Sequence, residues 1–204
     1  MKSGYTEAIR LAYEKLNKLD HEKVCARTGA VYSKGLPRGA ANRGGPQNGV
    51  YYIPWFGEKK SLDDGSQMEQ VLWLHYLISE GTKLPVGKYL AYREAPGAVF
   101  YENKFIARAV TPLVKCFGKE PPALVKAGLK LGGDPAGTGD ASIRLHVLPN
   151  VPVTYIIWSG DDEMGPEGNI LFDETALGWL PTEDLAVLAS LGAYKLIGVH
   201  NEPS

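Results

Sequence analysis

The segment that most constrains the fold is an almost entirely apolar helix with a marked beginning. Ser66 and Glu69 stand three residues apart, which is the spacing of a capping box at a helix N-terminus. From Val71 to Ile78 every residue is apolar or aromatic except His75, so a helix here has no polar face to turn to water. We therefore expect a central helix that is buried on most sides, with His75 as a core residue whose ring is satisfied.

The other predicted elements do not alternate as strand–helix–strand units. Helices are predicted over 5–19, 21–27, 103–116 with a kink at Pro112, 123–131, and from a cap at Thr182 onward, and strands over 50–56, 89–93, 98–101, 143–148, 153–158 and 170–172. Pro54 limits the pairing of the first of these strands, so we expect this strand to lie at a sheet edge or to end early. The order predicts an α+β fold, in which a mostly antiparallel sheet packs against several helices.

The chain reads as a single domain over residues 1–204, interrupted by a long irregular loop at 33–49. That loop is rich in Gly, Pro, Asn and Arg, a composition typical of segments without regular structure. Loops of this length are uncommon in compact domains unless they are functional or disordered. Two interpretations stay open, a partner-docking loop and a solvated disordered one.

Charge and hydrophobicity exclude two classes of partner. The chain has 22 basic and 23 acidic residues and a net charge of −1, whereas a general nucleic-acid binder needs a basic excess. The longest apolar run is far shorter than the roughly 20 residues of a membrane-spanning helix. The first residues are polar and contain no signal-like apolar region. We expect no nucleic acid, no membrane and a cytoplasmic location.

Cysteine usage limits the cofactors that the chain can hold alone. Its two cysteines, Cys25 and Cys116, are far apart in the sequence and form no CxxC pair. A zinc ribbon or an iron–sulfur cluster therefore cannot be built from this chain by itself. We expect two free, partly buried thiols.

A set of acidic residues near turns and strand ends forms the candidate site. Its members are Asp140, Asp161, Glu163 and Asp173, with His146 on a neighbouring strand. Clustered carboxylates suit a hard metal ion, and His146 could serve as a general base. The other interpretation is structural, because a turn aspartate commonly accepts hydrogen bonds from nearby backbone amides.

The glycine-rich segment 132–140 is interpreted as a helix stop followed by turns, and a nest of backbone amides for an anion stays open as the alternative. It lacks the Gly-Lys-Ser/Thr of a P-loop, and it leads from a helix into a strand, the reverse of a dinucleotide-binding turn. No Gly-x-Ser-x-Gly elbow and no His-x-x-x-His pair occur either. The chain thus contains no complete catalytic motif.

An ordered set of short motifs resembles a known family. In chain order they are Leu74-His75-Tyr76-Leu77, Gly132-Gly133 with Gly139-Asp140, Leu148-Pro149-x-Val151-Pro152, Trp158-x-Gly160-Asp161-x-Glu163, Leu171-Phe172-Asp173 and Leu180-Pro181-Thr182-Glu183-Asp184-Leu185. Together they resemble a bacterial and archaeal family catalogued as domain of unknown function 3786. The resemblance extends from about Glu7 to Ile197.

The resemblance implies a setting but no catalytic residues. The family occurs mainly in anaerobes, and some members carry an iron–sulfur module ahead of this domain, similar to one in corrinoid iron–sulfur proteins. The two cysteines of this chain cannot hold such a cluster. A link to corrinoid or one-carbon chemistry is therefore an analogy only.

Two functional hypotheses follow. The first is an accessory module that binds a small ligand or a protein partner, such as a metalloprotein in the implied anaerobic setting. The second is a metal-dependent hydrolase or transferase that uses Asp140, Asp161, Glu163 and Asp173 to hold the ion. Neither hypothesis specifies a cofactor or an oligomeric state.

Overall fold

The computed structural model describes residues 4–34, 49–161 and 163–202. The fold is α+β, as predicted, with helices packed on antiparallel sheets of three and five strands. The helices are α1 (Gly4–Leu16), α2 (His21–Thr28), α3 (Gln67–Ile78), α4 (Glu102–Phe105), α5 (Thr111–Phe117), α6 (Pro121–Lys130) and α7 (Thr182–Asn201). The strands are β1 (Val31–Lys34), β2 (Gly49–Trp55), β3 (Glu58–Ser61), β4 (Tyr89–Ala91), β5 (Asp134–Pro135), β6 (Ala141–Leu148), β7 (Val151–Trp158) and β8 (Glu167–Asp173).

The larger sheet has the strand order β4-β8-β7-β6-β5 and is antiparallel throughout. The predicted hairpin is formed by β6 and β7 at the centre of the sheet, with Ile143 opposite Tyr155. The predicted third strand is β8, which pairs with β7 and places Ile170 opposite Tyr155. These three side chains share one face of the sheet and are fully buried, with α6 and α7 packed against β6 and β7, and α5 against β8. The opposite face carries Arg144 and is partly open to solvent.

The smaller sheet has the order β1-β2-β3, so β2 is central. Of the two alternatives predicted for this strand, the edge position was wrong, and the strand ends at Trp55, one residue before the predicted end. β1 pairs with β2 only as far as Tyr52, whereas Pro54 faces Lys59 of β3. Because β1 begins opposite Tyr52 and does not extend to Pro54, the missing N–H of the proline removes no ladder bond on that side. The two sheets meet where the Phe56 N–H donates to the carbonyl of Val147 at 3.2 Å.

The apolar helix α3 begins at the predicted capping box, since Ser66 and Glu69 each bond the other's backbone N–H. It contacts α1, α2 and α7, and its residues Leu72 and Leu74 are buried. His75 has a specific partner, because its Nδ1 lies 2.6 Å from Oδ2 of Asp184 on α7. The central position predicted for this helix is confirmed.

Several local predictions were wrong. The segment Ala98–Phe100 is a 3-10 turn in place of a strand, and Thr182 is the first residue of α7 and not its cap. The hydroxyl of Thr182 donates instead to the carbonyl of Pro96 at 2.7 Å. Strand β3 was missed because its side chains are polar and exposed, which leaves no alternating pattern to detect.

The long irregular loop was predicted over residues 33–49. Its ends were wrong, since Ser33 and Lys34 belong to β1 and Gly49 to β2. Residues 35–48 lie outside the described residues. Cys25 and Cys116 are free and partly buried, as expected. Over the described ranges, no helix combines the length and apolar character that crossing a membrane requires.

Candidate functional site

Asp140 and Asp161 each stabilise a bend of their own. Asp140 accepts hydrogen bonds from the backbone N–H of Ser159 at 2.7 Å and from its hydroxyl. Asp161 accepts from the N–H groups of Glu163 and Met164 at 2.9 and 2.7 Å, which is an Asx turn. These hydrogen bonds lower the pKa of both carboxyls below the usual range. Both therefore match the structural interpretation.

Glu163 is exposed, and its side chain bonds no other described residue. Residue 162, the middle of this acidic turn, lies outside the described residues. Elsewhere in the part of the chain that the structure describes, no group of three or more His, Cys, Asp or Glu side chains is placed to hold a metal ion. The described residues thus supply no ligand set for the predicted metal-dependent activity.

Asp173 is the one buried member of the set, with 6% of its surface exposed. One carboxylate oxygen accepts from the N–H groups of Val86 and Gly87 at 3.0 and 2.7 Å, and the other from the N–H and hydroxyl of Thr175 at 3.1 and 2.7 Å. Burial raises the pKa of Asp173, but these four bonds outweigh burial and lower it. The carboxylate fastens the segment before β4 to the end of β8.

The structure brings only His146 and Asp173 of the predicted residues to a common pocket. This cavity of about 200 Å³ lies on the open face of the larger sheet, and Arg144 and Thr154 also line it. His146 is already bonded, because its Nε2 lies 2.8 Å from Oδ2 of Asp134. The volume is below the roughly 300 Å³ at which small-molecule pockets begin. The pocket is a weak candidate.

A larger cavity of about 690 Å³ lies among the helices, and we name it the helical groove. Its walls come from the start of α1, the segment from Tyr101 through Arg108, and one face of α7. The residues that line it are Tyr5, Met68, Tyr101, Lys104, Phe105, Arg108, Glu183, Ala186, Val187, Ser190, Leu191 and Tyr194. Most are aromatic or aliphatic, and a volume of this size is typical of small-molecule sites.

One wall of the helical groove contains a π-helical turn, Ile106–Val110, between α4 and α5. The N–H of Thr111 donates to the carbonyl of Ile106, five residues back. Pro112 explains the turn, since it lacks an N–H and its ring would clash with the carbonyl of Arg108 in a regular helix. Such turns widen a helix locally and occur frequently at functional sites.

Charged and hydroxyl groups converge on this otherwise apolar groove. Lys104 and Arg108 lie one helical turn apart and have no hydrogen bond or ion pair to another described residue. The hydroxyl of Tyr101 donates to Oε1 of Glu183 at 3.0 Å, and this bond raises the pKa of Tyr101. The groove thus presents two cations and one acid–hydroxyl pair.

A buried hydroxyl without a partner lies behind the same wall. Tyr92 is 2% exposed, and its OH has no hydrogen bond to any described group. Its ring stacks on Phe105 at 4.1 Å between centroids, and Phe105 lines the groove. Burial, and after it the charge of Glu183, raises the pKa of Tyr92 to about 12. An orphaned polar group of this kind calls for a water or a ligand group as partner.

The predicted carboxylates are absent from the groove lining, so the sequence reasoning missed this site. One signal was available, namely Tyr101, Lys104, Phe105 and Arg108 at helical spacing beside a proline. The pattern reads equally well as an ordinary amphipathic helix. The partners on α7 are about 80 residues further along the chain, and periodicity holds no information about that distance.

Comparison with known proteins adds a family and no function. The sequence profile of the family described as Domain of unknown function (DUF3786) matches residues 51–195, more than two thirds of the 204 residues. The match begins later than the resemblance at Glu7 indicated. No match was found among curated proteins or solved structures. Both the site-bearing part of helix α7 and the larger sheet fall within the matched range, and the chain belongs to the DUF3786 family.

Proposed function

We propose that this protein is a binding module that holds a small organic acid in the helical groove. The observation that carries the proposal is the convergence of Lys104 and Arg108 on an apolar cavity of about 690 Å³. An apolar body would lie against Phe105 and Leu191, and its carboxylate would pair with the two cations. The carboxylate of Glu183 would accept a hydrogen bond from a donor elsewhere on the ligand.

The magnitudes decide which contacts give affinity and which give selectivity. An exposed ion pair contributes about 1 kcal/mol or less, so Lys104 and Arg108 alone would not hold a ligand. Burial of apolar surface contributes about 25 cal/mol per Å², and the groove walls are largely apolar. The walls would therefore supply most of the binding free energy, and the cations would select an acid.

This proposal keeps the binding interpretation and makes it more specific. The link to corrinoid and iron–sulfur metabolism that the family resemblance implies stays a proposal of the same kind, because it depends on which molecule is bound. A protein partner seated in the groove is the competing occupant.

The test is native mass spectrometry of the protein purified from its own host. We expect the wild-type chain to retain a small acidic molecule. Ser190→Phe should lose it, because Ser190 lines the groove and the larger ring would take up part of its volume. Arg108→Ala should retain less ligand, by up to about fivefold, in keeping with one lost surface ion pair of about 1 kcal/mol or less.

Lys115→Ala is the matched control, since Lys115 is an exposed cation on α5 outside the groove lining. It should retain the same amount of ligand as the wild type. A ligand that persists in Ser190→Phe would show that it binds elsewhere. If a companion protein were retained in place of a small molecule, the groove would be a docking site for a protein partner.

A further inference from the structure

A second cavity, of about 430 Å³, lies at the tip of the hairpin formed by β2 and β3, and we name it the hairpin pocket. The tip contributes Trp55, Phe56 and Lys60, the end of α6 contributes Lys130, and α7 contributes Lys195. None of these residues lines the helical groove. The pocket is thus a separate site, and it is independent of the function proposed above.

Positive charge is concentrated in this pocket although the whole chain has a net charge of −1. Three lysines line it, against the single carboxylate of Glu58. Lys60 pairs with Glu58 at 2.6 Å. The pKa of Glu58 is lowered mainly by this hydrogen bond, and the charge of Lys195 makes the smallest contribution to the lowering. Because Glu58 is already neutralised by Lys60, two ammonium groups are left over.

Lys130 and Lys195 have no hydrogen bond or ion pair to any other described residue. The plain alternative is that both are solvated, with Lys130 favoured by the negative end of α6. That alternative explains neither why both lysines line one cavity nor why aromatic side chains line the same cavity. Two unpaired ammonium groups match a phosphate dianion better than a single carboxylate.

The aromatic wall is held in an unfavourable backbone conformation. Phe56 has a φ of 50° and is the one non-glycine residue with a positive φ in the described part of the chain. Together with Gly57, at a φ of 75°, it forms the two-residue turn between Trp55 and Glu58. Hairpin turns of this geometry favour Asn before Gly, and a bulky residue there is strained. Retained strain of this kind clusters at ligand sites.

The Phe56 ring contacts Trp55 edge-on at 4.9 Å between centroids and lines the pocket. We propose that the hairpin pocket binds a phosphorylated ligand with a planar ring, of the mononucleotide class. Lys130 and Lys195 hold the phosphate, and the planar ring packs against Phe56. The ring contact accounts for a phenylalanine at a turn position where asparagine would be relaxed.

Calorimetric titration with adenosine monophosphate, inorganic phosphate and adenosine tests the proposal. We expect the monophosphate to bind at least about tenfold more tightly than either fragment, since each fragment keeps half of the contacts. The double variant Lys130→Ala/Lys195→Ala should weaken binding of the monophosphate about tenfold. Lys126→Ala, an exposed lysine on the same helix outside the pocket, should bind as the wild type does.

Phe56→Asn separates folding from binding. The turn is relaxed in this variant, so its urea midpoint should rise while its affinity for adenosine monophosphate falls about tenfold through loss of the ring contact. Equal affinity for inorganic phosphate and the monophosphate would overturn the proposal. Equal weakening by Lys126→Ala, unchanged affinity in Phe56→Asn, or no binding of the monophosphate to the wild type would overturn it as well.

Discussion

At the scale of single residues, the acidic set separates into local roles. Asp140 and Asp161 are exposed and complete their own turns, whereas Asp173 is buried and joins two segments far apart in sequence. An aspartate before a turn looks the same in a sequence whether its oxygens serve a ligand or the backbone. Burial and the number of accepted bonds distinguish the cases, and both are tertiary properties.

Asp173→Asn is expected to destabilise the fold by about 1–3 kcal/mol, since the amide replaces one accepting oxygen with a donor that faces N–H or O–H groups. Asp161→Asn, at an exposed turn, should cost less. Urea denaturation of both variants at pH 7 is the measurement. Because the pKa of Asp173 is lowered in the folded state, its contribution is present above about pH 3.8 and is lost as the pH falls through the lowered value. Equal losses in the two variants would contradict the buried role.

At the scale of elements, close packing of helices on the larger sheet depends on glycines that periodicity does not identify. Gly192 on α7 lies against Tyr155, and a Cβ there would meet the Tyr155 hydroxyl oxygen at 1.8 Å. That hydroxyl also donates to the carbonyl of Ala189 at 3.1 Å, so it is not free to move away. The helix approaches the sheet this closely because position 192 has no side chain.

Gly192→Ala is expected to lower the free energy of unfolding by about 1–3 kcal/mol through overpacking. Gly198→Ala is the matched control on the same helix, where an added Cβ meets nothing within 4 Å. It should stabilise the protein by about 0.5–1 kcal/mol, as alanine does in an exposed helix interior. Thermal unfolding of the two variants beside the wild type measures both effects. A stable Gly192→Ala would show that α7 can shift away from the sheet.

At the scale of the whole molecule, one hydrophobic core includes buried residues of both sheets, such as Ile53 and Leu145. A shared core agrees with the single domain predicted over residues 1–204, which stays a prediction for the ranges outside the structure. A polar contact also joins α3 to α7, since His75 on α3 pairs with Asp184 on α7. The hydrogen bond to Asp184 raises the pKa of His75 above 6.5, against the opposing effect of burial.

This pair makes the stability of the molecule depend on pH. A raised pKa in the folded state means that the contribution is complete below about pH 6.5 and is lost as the pH rises through the higher folded value. We therefore expect the urea midpoint of the wild type to fall as the pH rises from about 6.5 through the raised pKa of His75. His75→Gln should remove this dependence. An unchanged slope in His75→Gln would assign the pH dependence to other groups.

The sequence by itself determined the elements with strong local signals. The capping box at Ser66, the apolar run behind it and the hairpin centred on the 149–152 turn follow from nearest neighbours and periodicity, and they were sufficient for the α+β class. Polar strands such as β3 were missed because their pairing, and not their composition, makes them strands. The edge position predicted from Pro54 was wrong for the same reason, since the partner strands decide whether a strand lies at the edge or the centre of a sheet.

The tertiary structure alone decided where the cavities lie. Tyr101 and Glu183 meet across 82 residues, and Lys130 and Lys195 come from different helices to line one pocket. Such encounters depend on how helices cross and pack, and a local pattern holds no information about them. The signals in a sequence describe which residues are neighbours along the chain, whereas a cavity is formed by residues that are neighbours in space.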